Sequence, residues 1–191
     1  RFEDPVDFVL AIDGRDNSRL LVQERYEVLR AMFYHETHDA DAYLDPPDAD
    51  TPLFKPIDLM LQTATPLLTG NWQASSETYE TGDLAYGNAN PAAPDYDSLA
   101  DFIFAGDYVE LKLPWQLLNF SDPSRMTIHD DYYENYGVDD ITIDTMYLGL
   151  TDGAAQERTP LYPAALKGWG NTVSYHERLK PSYYILQKLW Q

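Results

Sequence analysis

One run of the sequence concentrates groups that move protons or hold metals. His129-Asp130-Asp131-Tyr132-Tyr133-Glu134-Asn135-Tyr136 carries one histidine, three carboxylates and three tyrosines. Carboxylates near 129–134 could serve a glycosidase, which needs two of them ~5 to 10 Å apart across a cleft. The spacing favours a plainer role. On a strand, adjacent Asp130 and Asp131 point to opposite faces, so only one meets a given ligand. On a loop or helical turn, one of them caps Tyr132 to Tyr136. Many other carboxylates exist, and no spacing singles out a catalytic pair.

A second cluster is Asp13-Gly14-Arg15-Asp16-Asn17-Ser18. Asp13, Asp16 and Asn17 place oxygen atoms in one tight turn and are the candidate calcium ligands. The match to an EF-hand loop is partial: the third position is Arg15. A turn held by its own aspartate and asparagine side chains is the competing reading. His35 and His38 have the spacing of two zinc ligands on one helical face, with Asp39 beside them, but no third convincing ligand follows.

The aromatic residues suggest another chemistry. There are 15 tyrosines and 4 tryptophans, and Trp72, Tyr79, Tyr86, Tyr96 and Trp169 stand in polar, glycine-bearing stretches. Sugars offer flat C–H faces that stack on such rings, while carboxylates and amides bond their hydroxyls. Trp72, Tyr79, Tyr86 and Trp169 are the candidate carbohydrate-binding residues. The alternative is that these rings pin long loops onto the body. The chain has no cysteine, which excludes disulfides, zinc–thiolate sites and thiol nucleophiles. No nucleophile elbow, phosphate-binding loop or dinucleotide fingerprint is present.

The elements that must position these residues read as strands. Val6 to Ile12 is apolar and ends in Asp13-Gly14, and Ser18 to Gln23 returns as a hairpin partner. Glu24 to Tyr34 fits either a helical face or a strand. Residues 35–56 form a polar, proline-rich loop. Pro56 to Thr63 alternates as a strand, and short strands are expected at 76–81 and 83–86. Ser98 to Phe104 and Tyr108 to Leu113 make a hairpin about Ala105-Gly106-Asp107. Pro114 stops that ladder because it has no N–H to donate, and Trp115 to Leu118 suits one helical turn. Ile141 to Leu150 alternates as a single strand. Tyr183 to Trp190 suits a short helix or an edge strand. Short strands, proline-rich turns and only brief helices predict an all-β fold, an antiparallel two-sheet sandwich of jelly-roll type with long loops.

Length and charge set the outer limits. At 191 residues the chain fits one domain, large enough to bury about 70% of its unfolded surface without staples. Thirty-two acidic residues against 13 basic ones give a net charge of −19. That field repels phosphate backbones and anionic lipid, so nucleic acid is not an expected partner. No apolar run reaches the ~18 residues of a membrane span. The chain begins at Arg1 almost directly on a strand, so residues 1–191 are expected to be a single module from a longer protein.

The segment Gly106-Asp107-Tyr108-Val109-Glu110-Leu111-Lys112-Leu113-Pro114-Trp115-Gln116-Leu117-Leu118 resembles a motif of family-nine carbohydrate-binding modules and the related DOMON sandwiches. Those modules carry a strand of the form Gly-x-x-x-Glu-x-x-x-Pro-Trp before a short helical turn. The Val6-to-Asp13 and Ile141-to-Asp152 strands look like two further strands of the family. Leu117 to Ser124 is similar to C-terminal sandwich regions of large bacterial proteins with glycosidase-like barrels. Strands that precede Val6 in such modules have no counterpart here. The resemblance implies that Trp115 packs in the core and that Glu110 is structural. It also implies a non-catalytic accessory module at the C-terminal side of an extracellular or cell-surface carbohydrate-active protein. Its partner would be a glycan or polysaccharide, with calcium as the candidate cofactor. Two alternatives stand beside it: a structural module packing on an N-terminal, glycoside hydrolase-like domain of the same protein, or the glycosidase already named.

Overall fold

The computed structural model describes residues 2–27, 48, 50–62, 65–66, 73–74, 77–129, 140–152, 158–170 and 181–190. Strand β1 (Phe8–Ala11) pairs antiparallel with β2 (Arg19–Gln23), Phe8 opposite Val22 and Ala11 opposite Arg19. This is the expected first hairpin. Within β2, Leu20 and Val22 point to one face and are buried, as the two-residue strand period requires. Strand β3 (Phe54–Pro56) lies along the other side of β2, over Leu21 to Gln23 only.

The rest of that side of β2 is taken by residues 82–84, with Leu20 N–H donating to the Gly82 carbonyl (2.8 Å) and Leu84 N–H to that of Ser18 (3.0 Å). The same chain continues alongside β8 (Phe102–Ala105), where Gly87 N–H donates to the Phe102 carbonyl (2.9 Å). Residues 83–86 were expected to form a strand. They form isolated bridges instead, because they change partner midway from β2 to β8.

Strand β4 (Asp58–Gln62) pairs with β7 (Glu77–Glu80), and the short β5 (Thr65–Pro66) with β6 (Gln73–Ala74). Strand β8 turns at Gly106-Asp107 into β9 (Tyr108–Leu111), so the expected hairpin is present. Residues 98–101 precede the ladder: Leu99 N–H bonds the Asp97 carboxylate, and the Asp101 carboxylate accepts Ala85 N–H. A 3-10 turn, Trp115–Leu118, follows Pro114 as expected.

Strands β10 (Phe120–Asp122), β11 (Thr127–His129) and β12 (Asp140–Thr142) form a second three-stranded sheet. Strand β13 (Thr145–Leu148) pairs with β14 (Tyr162–Ala165). The single strand expected over 141–150 is therefore two, in different sheets. The break falls where Ile143 N–H bonds Met126 and Asp144 accepts Leu166 N–H. The last element, α1 (Pro181–Leu189), is a helix, which decides between the two readings of that segment.

The architecture is all-β and sandwich-like, and the described residues assemble it from several small antiparallel sheets. Leu20, Leu84 and Phe102 form the buried centre, with Phe8, Leu10, Ile57, Tyr86, Leu113, Leu117 and Leu118 packed around it. Residues from β1, β2, the stitching segment, β8 and the 3-10 turn thus meet at one point. Among the described residues, no helix is long and apolar enough to cross a membrane.

Candidate functional site

Among the described residues, Trp115 and Trp169 form a pair at the surface. Pro114 is extended (φ −60°, ψ 134°) and starts the 3-10 turn whose first residue is Trp115. The turn ends at Asn119, which is left-handed and whose N–H returns to the Gln116 carbonyl (3.2 Å). This tight reversal drops Phe120 into the interior and leaves Trp115 leaning on it edge-to-face, ring centroids 4.7 Å apart. Trp169 lies on the outer side of Trp115, 6.4 Å centroid to centroid and tilted by 45°. Trp169 is 53% exposed, and Trp115 is half-buried. The core position implied for Trp115 is thus realised only on its Phe120 side.

Trp169 sits on a loop with a fixed seat. Leu166 N–H bonds the Asp144 carbonyl (2.7 Å), and Gly170 N–H bonds that of Ser124 (3.1 Å). A side chain at position 168 would meet the Ser124 carbonyl at 2.5 Å, so only glycine lets the loop approach so closely. The seat is the turn between β10 and β11. There the Asp122 carboxylate accepts the Ser124 hydroxyl (2.6 Å) and amide (2.9 Å), and Arg125 Nε lies 3.6 Å away.

The Ser124 hydroxyl holds the Asp122 carboxyl below the ordinary carboxylate pKa, helped by the Ser124 and Arg125 amides and the Arg125 charge. A depressed folded-state pKa adds stability at pH values above the unfolded value, lost as pH falls through the folded one. We therefore expect acid to loosen this turn below about pH 4, the carboxylate range. In Asp122→Asn that acid-dependent step should vanish from the tryptophan emission, while the rest of the pH profile stays.

The sequence candidates distribute as follows. Trp169 is in the pair. Tyr79 is exposed on β7, opposite Leu59. Tyr86 is partly buried, packed on Phe102 (5.4 Å) and Phe104 (5.7 Å), with the Arg15 guanidinium 4.4 Å over its ring. That is the loop-pinning role, and its ring face is already covered. Trp72 lies outside the described residues. Among the described residues no ring contact joins Tyr79 or Tyr86 to Trp169. Trp115 completes the pair, and the only sequence signal for it was its place after Pro114.

Asp13, Asp16 and Asn17 are exposed on a turn closed by the buried Ser18, which accepts Asp13 N–H (2.9 Å) and donates to the Gly14 carbonyl (2.8 Å). Among the described residues, no three histidine, aspartate or glutamate side chains converge as a metal site. In the run 129–136 only His129 is described; its Nδ1 lies 3.7 Å from an Asp140 carboxylate oxygen across β11 and β12. Asp130, Asp131 and Glu134 lie outside the described residues, as do His35, His38 and Asp39. Comparison with protein-family models, curated proteins and solved structures finds no match.

Proposed function

We propose that the chain is a non-catalytic carbohydrate-binding module, an accessory part of an extracellular carbohydrate-active protein, and that Trp169 with Trp115 is its glycan platform. The observation that carries this reading is a solvent-facing indole held in place from below. Trp169 is braced by Trp115 and by the Ser124–Gly170 hydrogen bond, so little side-chain freedom is lost when a sugar ring stacks on it. The Asp122–Arg125 turn beneath supplies hydrogen-bonding groups of both kinds.

Isothermal calorimetry over a panel of polysaccharides and oligosaccharides tests the reading. We expect one glycan class to bind, and Trp169→Ala to weaken it at least tenfold, a loss of about 1.4 kcal/mol. Tyr86→Phe should bind normally, since the Tyr86 face is occupied by Arg15. Undiminished binding by Trp169→Ala would sink the platform.

One observation favours the packing role. At the far end of the β13–β14 ladder, Leu148 and Tyr162 share one face and Tyr147 and Pro163 the other, and all four are exposed. A two-stranded ladder with both faces in water gains little from burial. A neighbouring domain laid against it would supply the missing contact. A folded, soluble chain that binds no glycan in those titrations leaves this packing role as the reading.

A further inference from the structure

Strand β8 is paired on both sides, by β9 on one and by residues 85–87 on the other. Among the described residues, strand β9 has β8 on one side only, and all four of its own residues are exposed. Lys112 N–H donates to the Asp101 carbonyl (2.7 Å), which fixes the phase of the ladder. In an antiparallel pair, hydrogen-bonded and non-bonded positions alternate. Tyr108, Glu110 and Lys112 therefore spend their backbone groups on β8, while those of Val109, Leu111 and Leu113 point away from it. Among the described residues, no backbone partner meets that outer edge. Such an edge is a template for another strand.

The sequence along the edge selects the occupant. We propose that β9 pairs antiparallel with β9 of a second copy, about a two-fold axis through Leu111, and joins the two hairpins into one four-stranded sheet. In that register Leu111 faces Leu111 of the other copy, and Val109 faces Leu113. These are the outward-pointing positions, which exchange N–H···O bonds. Glu110 then falls opposite Lys112, and Lys112 opposite Glu110. Both charge pairs occupy non-hydrogen-bonded sites, where cross-strand side chains come closest.

The neighbouring registers with the same backbone phase fit worse. An axis through Glu110 sets Glu110 against itself, and one through Val109 sets Leu111 against Asp107. The chosen register also extends a half-covered apolar face, since Phe104, Val109 and Leu111 are exposed on the face they share with the buried Phe102, which lies opposite Leu111. The contact is small and joins two bodies of net charge −19, so the dimer is weak, with a Kd on the order of 10 to 100 μM.

Sedimentation velocity over a concentration series reads it directly. The chain should pass from monomer to dimer in that range. Glu110→Lys and Lys112→Glu, each alone, set like charges against each other at both sites and should raise Kd about tenfold or more. An equimolar mixture of the two variants restores opposite charges at both sites and should dimerise like the parent, as should the double swap in one chain. Leu111→Pro removes only an outward N–H, which an edge strand tolerates, and should abolish the dimer with the far-ultraviolet spectrum unchanged. A parent that stays monomeric to about 500 μM, well above the expected Kd, overturns the proposal. So does a dimer indifferent to the charge reversals, or single variants whose mixture fails to associate.

Discussion

Phe102→Ala should be the most destabilising single substitution in this chain, costing about 3–5 kcal/mol. Phe102 is 1% exposed and sits against Leu20 and Leu84. It also meets Tyr86 and Phe104 edge-on, at 5.4 and 5.7 Å. Truncation loses both the burial and the ring contacts, and leaves a void between β2 and β8 that neither strand can close without breaking its link to residues 82–87. Since domains of this size are stable by roughly 5–15 kcal/mol, the variant should melt about 10 °C or more below the parent. Phe102→Leu, which keeps most of the volume, should lose less than half as much. A scanning calorimetry trace for the alanine variant within about 2 °C of the parent would place the centre of the fold elsewhere.

Gly82→Ala should also be damaging, by a smaller amount and for the opposite reason. A methyl group there would meet the Leu20 carbonyl oxygen at 2.4 Å, and that atom belongs to the backbone of β2. Nothing flexible can yield. Either the Leu20–Gly82 hydrogen bond (2.8 Å) lengthens or β2 shifts away from the core, at an overpacking cost of about 1–3 kcal/mol. The substitution also pulls at Gly82 N–H, which bonds the Ile57 carbonyl (3.2 Å). Chemical denaturation should show a lowered midpoint with an unchanged slope. An unshifted midpoint would mean that the 82–87 segment can drift outward freely, and that it does not tie the two ladders together.

Much of the fold was legible because its signals are local. The β1–β2 hairpin and the β8–β9 hairpin follow from apolar runs around turn residues, and the stop at Pro114 follows from its missing N–H. What escaped the sequence depends on partners distant along the chain. Residues 83–86 look like a strand, yet their two halves serve different neighbours. Residues 141–150 alternate without interruption, yet the chain changes sheets at Asp144, because Ile143 is claimed by Met126 and Leu166 by Asp144.

The proposed platform was legible in part. Trp169 could be named from its glycine-bearing surroundings. Its company could not: Trp115 and the Asp122–Ser124 turn reach it only through tertiary packing, and the carboxylate that matters there lay in a stretch read for its resemblance rather than its chemistry. Tyr86 shows the converse. Its polar surroundings suggested a ligand, but Arg15, from the turn read as a calcium loop, closes over it instead.

The described residues build six small sheets, which gives them no single seam along which to open. Amides of β2 and β8, clamped on both sides at the centre, exchange with solvent only when most of the molecule comes apart. Those of β13, β14 and β9 lie in two-stranded pieces and can be released one piece at a time. The described body is therefore a patchwork in its breathing, quiet in the middle and busy at the margins.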